Sequence, residues 1–122
     1  MPQPPDVLDA VFTIGAEAGN VINVGVSIRK YGIKADQRLA LQYWLSSDAT
    51  GDTLAADPGT TAIGTDGTLL VEPTDDIIGL VVTEADGDFD LNITHTGTSG
   101  FYLNLIMPGS GRVVTSPVIQ FA

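Results

Sequence analysis

The densest run of residues able to do chemistry is EADGDFDLNITHTG, residues 84–97. Asp86, Asp88 and Asp90 stand at alternate positions, like the front of a calcium loop whose oxygen ligands occupy positions 1, 3 and 5. Such a loop also needs a glycine at position 6 and a bidentate glutamate at position 12. Counted from Asp86, those places hold Leu91 and Gly97. The same aspartates interleave with Phe89, Leu91 and Ile93, which is the spacing of a strand with one apolar face. The pattern therefore predicts a strand over 88–94 with Asp88 and Asp90 on its solvent face, about 7 Å apart, and no metal site.

Other chemistries find less support. His95 is the single histidine, so any Ser-His-Asp relay would have to use it, and no Gly-x-Ser-x-Gly elbow accompanies it. Asp75 and Asp76 are adjacent in a turn, where their carboxylates point apart and stay solvated. No glycine-rich segment opens a helix to cradle phosphate. Asn92-Ile93-Thr94 matches a glycosylation sequon and is read as idle. The chain has no cysteine, which excludes disulfides and thiolate metal sites. The expectation is a protein without catalytic residues, cofactor or metal, and not an enzyme.

What would position any site is a set of short strands. Period-two alternation puts Ile22, Val24, Val26 and Ile28 on one face, then Leu39, Leu41, Tyr43 and Leu45, then Phe89, Leu91 and Ile93, then Phe101, Leu103, Leu105 and Met107. Turn formers separate these runs, and most of the 14 glycines and 7 prolines fall there. About eight strands are expected, near 8–15, 20–30, 38–46, 68–72, 77–84, 88–95, 101–107 and 112–121, with 60–63 as a possible short addition and at most one helical turn around 48–56. This many short strands in 122 residues predicts an all-β fold, an immunoglobulin-like antiparallel β-sandwich of 7–8 strands. A flexible proline-rich leader, 1–7, precedes a single domain over 8–122. No basic and apolar signal segment and no membrane-length apolar run is present.

Fifteen acidic against five basic residues give a formal charge of −10, which argues against nucleic acid as a partner. The first 45 residues hold four of each sign, whereas the remainder holds eleven acids against Arg112 alone. Counting eight strands, the loops near 16–20, 46–67, 84–88 and 108–112 gather at one strongly acidic pole. The loops 29–38, 72–76 and 95–100 gather at a balanced one. Lys30, Lys34 and Arg38 on the balanced pole are candidate interface residues. So are Trp44 and Tyr102, which alternation turns away from the core. Trp44 has two readings at this point, cover by the 47–67 excursion or an interface anchor. Few lysines guard the sheet edges, so a homo-oligomer or a partner-covered edge is expected.

The segments FTIGAEAGNVINVGVSI, YWLSSDATGDTL, AIGTDGTLL and TEADGDFDLNITHTGTSGFYLNLIMPGSGRVVTSPVIQFA resemble a family of small structural proteins of tailed bacteriophages, over residues 12–122. The resemblance implies a virion component, a head decoration or cement protein on the capsid exterior, made in the host cytoplasm. Its partners would be the major capsid protein or other virion proteins, and it transfers no catalytic residue. The alternative is a carbohydrate- or receptor-binding module displayed on head or tail, with Trp44 or Tyr102 stacking on sugar.

Overall fold

The computed structural model describes residues 8–56, 59–74, 76–108 and 111–122. The leader over 1–7 lies outside the described residues, as do Asp57 and Asp75. Eleven strands are present, and no helix occurs among the described residues. They are β1 (Leu8–Ile14), β2 (Val21–Lys30), β3 (Ile33–Lys34), β4 (Ala40–Ser46), β5 (Thr60–Ile63), β6 (Thr68–Thr74), β7 (Ile78–Val82), β8 (Asp88–Thr94), β9 (Gly100–Ile106), β10 (Val113–Thr115) and β11 (Ile119–Gln120). The count exceeds the expected eight because β3 and β5 are added and the last expected strand breaks into β10 and β11. The break falls around Ser116-Pro117, where proline has no N–H to give a ladder. The 48–56 segment forms bends and turns instead of a helical turn.

All pairings are antiparallel. One sheet runs β1-β2-β8-β5 with β3 beside β2, and the other runs β10-β9-β4-β7-β6 with β11 beside β9. Alternation explains why the sheets stack. The long strands β2, β4, β8 and β9 concentrate their apolar residues on one side, so two sheets bury those sides against each other. The shared core takes Ile22, Val24, Val26, Ile28, Phe89, Leu91 and Ile93 from the first sheet and Leu41, Tyr43, Leu45, Phe101, Leu103 and Leu105 from the second. Leu39 and Met107 complete the set expected from alternation; Leu8 joins it from the start of β1, and Val81, Ile119 and Phe121 from shorter segments. Tyr43 lies opposite Gly79, and a Cβ at 79 would collide with its ring. The bare backbone of β7 is what lets an aromatic of this size lie flat in the core.

The two lateral edges differ. Along β6 the register shifts twice, and Pro73 interrupts the donors. Its neighbour across the sandwich, β5, has only 4 residues. Strand β1, at the opposite side, pairs with β2 through 7 consecutive residues without a shift.

Candidate docking surface

The three aspartates that open the question go to two different places. Asp86 and Asp88 flank the Lys34 ammonium, with Asp88 Oδ2 at 2.9 Å and Asp86 Oδ2 at 3.5 Å. The Asp88 bond is the main reason the Lys34 pKa is raised. Burial works to raise the Asp86 carboxyl, but the Asp88 N–H and Lys34 outweigh it and hold its pKa down.

Asp90 departs from expectation. It is buried, at 7% exposure, not on an open solvent face. The 64–67 loop folds over the outer side of β8, and Asp90 holds it there. Its Oδ1 accepts the Asp66 N–H at 2.7 Å, and its Oδ2 accepts the Asn23 amide at 2.6 Å and the Thr65 N–H at 3.2 Å. A Cβ at Gly64 would collide with this carboxylate. Burial works to raise its pKa, yet the donors of Asp66, Asn23 and Thr65 prevail and hold it below the ordinary aspartate value. Asp66 has the opposite shift, upward, from desolvation and the nearby charge of Asp90. A cleft of about 250 Å³ lies beside these residues, lined by Asn23, Ser27, Thr65, Asp66, Asp88 and Asp90 among others. Among the described residues, no group of three or more His, Cys, Asp or Glu is placed to hold a metal ion.

His95 packs edge-on against Phe101 at 4.9 Å and Phe121 at 5.3 Å. Its backbone N–H donates to the Asn20 carbonyl at 2.9 Å. Trp44 resolves toward cover: its Nε1 donates to the Gly51 carbonyl at 3.1 Å, so the loop after β4 lies across it. Asp48 shapes that loop by accepting from Thr50 Oγ1 at 2.8 Å and from the Thr53 N–H at 3.2 Å. The Thr50 hydroxyl is the main cause of its lowered pKa. Beneath the loop sits Asn104, fully buried on the outer side of β9. Its amide donates to Ser46 Oγ at 2.9 Å, and its carbonyl accepts from Thr115 Oγ1 at 2.7 Å. The signal for it was an asparagine set among apolar residues in FYLNLIM. Tyr102 lies on the same outer face and is half-buried.

The loops sort into poles differently from expectation. Ser27 pairs with Asp88, so the loop leaving β2 and the loop entering β8 share one end. Ala40 pairs with Val82, and Gln42 with Ile106, which brings the entry to β4 and the 107–112 turn to that end as well. Strand β5, read from the sequence as a short addition over 60–63 and left out of the count of eight, is the cause, because one extra crossing sends every later loop to the opposite pole. Arg29, Lys30, Lys34, Arg38 and Arg112, all the basic residues of the chain, therefore occupy one end, together with Asp9, Asp36, Asp66, Glu84, Asp86 and Asp88. The opposite end carries Glu17, Asp48, Asp52, Glu72 and Asp76 and no cation.

At the basic end the β2–β3 hairpin projects. Lys30 pairs with Ile33, which leaves Tyr31 and Gly32 as a two-residue turn with φ of 52° and 79°. Two positive φ values match the twist of the flanking strands, but tyrosine is a rare choice for the first. Tyr31 is 54% exposed and Ile33 73%. Lys30, Lys34 and Arg38 thus meet around an apolar tip that sequence reading did not single out; Trp44 and Tyr102 lie on another face.

The class defined by fold and surface is an all-β sandwich with a mixed-charge, aromatic-tipped end and an all-acid end. The chain matches no protein-family model and no curated protein sequence.

Proposed function

We propose that this is a non-enzymatic virion structural protein, a decoration protein that docks on the outside of a phage head through its basic end and strengthens the shell. The observation that carries the reading is the segregation of charge. Every cation sits at one end, around the exposed Tyr31 and Ile33, while the far end is purely acidic. Such a molecule meets a lattice best in one orientation, with an apolar tip to anchor it, mixed charges beside the tip to pair with the partner's, and the purely acidic end turned away. The resemblance to small tailed-phage structural proteins supports the same reading, and the partner is then the major capsid protein or a neighbouring virion protein.

Binding to purified capsids tests it. Lys30→Glu with Arg38→Glu should weaken association by roughly tenfold and flatten its dependence on salt. Asp52→Asn at the far end should leave association unchanged. Tyr31→Asn keeps a residue tolerant of positive φ, so the fold should hold while binding falls. Binding that resists the Lys30/Arg38 reversal and the Tyr31 change, yet falls with Asp52→Asn, would invert the orientation.

A further inference from the structure

We infer that β1 is a self-complementary edge, and that two copies of this chain pair through it as an antiparallel dimer about a two-fold axis at Phe12. The ladder is the starting point. The Gly15 N–H donates to the Asn23 carbonyl on β2 at 2.8 Å. By alternation residues 9, 11, 13 and 15 turn their polar groups toward β2, and residues 8, 10, 12 and 14 turn theirs outward.

Two of the outward groups in the first half already have partners. Arg112 Nη1 donates to the Leu8 carbonyl at 3.4 Å, and the Ala10 N–H donates to Asp9 Oδ1 at 2.8 Å. Among the described residues no such contact caps Phe12 or Ile14, and no strand pairs with β1 on that side. The edge also lacks the usual guards: it has no lysine, proline or bulge. Phe12 and Ile14 point toward the core yet remain half-exposed at its flank. A second sheet edge laid alongside would cover them.

The occupant is a second copy because the edge fits itself. An antiparallel partner turns end for end, so the basic end of one copy lies beside the acidic end of the other. Arg112, held at Leu8, then comes next to Glu17 of the partner subunit. Register follows from the same accounting. With Phe12 opposite its own equivalent, Phe12 exchanges both backbone bonds, Val11 faces Thr13, and Asp9 faces Gly15. Ala10 then pairs with Ile14 of the partner subunit, and its N–H exchanges the Asp9 carboxylate for a ladder carbonyl. Sliding the pairing one step toward Ile14 would set Asp9 against Glu17 of the partner subunit.

The two hairpin tips of such a dimer point in opposite directions, so one tip of each pair meets a capsid at a time; the dimer itself is tested without capsids. Sedimentation of the wild-type chain should give twice the 12.7 kDa chain mass. Val11 and Thr13 are exposed, so Val11→Lys with Thr13→Lys should leave the melting curve of the fold in place while four ammonium groups across the axis return the mass to that of one chain. Val11→Lys with Thr13→Glu puts opposite charges across the same axis and should restore the dimer. Arg112→Glu should loosen the dimer at least fivefold, and adding Glu17→Arg should recover it. A wild-type chain that sediments as a monomer at high concentration would overturn the proposal. So would a dimer indifferent to the paired lysines.

Discussion

At the scale of single residues, Asp90 carries the clearest energetic statement. Asp90→Ala leaves the Asn23 amide and the N–H groups of Thr65 and Asp66 without their acceptor, and stability should fall by about 2–3 kcal/mol in a denaturant titration. Because its folded pKa is lowered, its contribution is complete above the unfolded value of about 3.9 and is lost as pH falls through the folded one. The gap between wild type and Asp90→Ala should therefore narrow as pH drops below about 4. A gap that stays constant to acid would mean the carboxylate is not the acceptor. The sequence made the strand around Asp90 legible, with Phe89, Leu91 and Ile93 buried as alternation requires. It hid the burial of Asp90, since alternation says which side a residue faces and nothing about a loop that later lies over that side.

Among the elements, the loop joining β4 to β5 shows how a polar segment covers an outer face. It closes back on β4, with the Ala55 N–H donating to the Leu45 carbonyl at 3.0 Å and the Ser47 N–H to the Thr53 carbonyl at 3.0 Å. Asp48 is its internal brace. Asp48→Ala should free the turn, uncover Trp44 and shift the indole emission to longer wavelength, with little change in the melting curve because its hydrogen bonds are exposed to water. Unchanged emission would show that the loop holds its place without Asp48. The period-two runs made β2, β4, β8 and β9 readable because each is long enough to repeat. β3 is not, at 2 residues, and β5, at 4, was legible only as an optional addition over 60–63, because so short a run in a loop of small polar residues does not show whether it crosses the sheet.

For the whole molecule, one short strand decided the charge map. Opposite charges did gather unevenly, as composition suggested, but β5 reversed the parity of every loop after it and moved 84–88 to the side of Lys34. Function at this scale rests on where loops end up, which depends on counting crossings correctly, whereas the core depends only on local pattern. That same topology has a temporal side. The inner partner of β2 is β8, with Val21 paired to Thr94, and the inner partner of β4 is β9, with Ser46 paired to Tyr102. Both sheets are therefore open along their middle until the last third of the chain exists. On a ribosome adding roughly 5–20 residues per second, the early strands wait on the order of seconds with their apolar sides uncovered. Refolding should be a single slow phase in the millisecond-to-second range, set by closing these long loops. A chain ending before Asp88 should give no sheet signal in circular dichroism. A folded fragment of that length would mean that the first seven strands have a nucleus of their own.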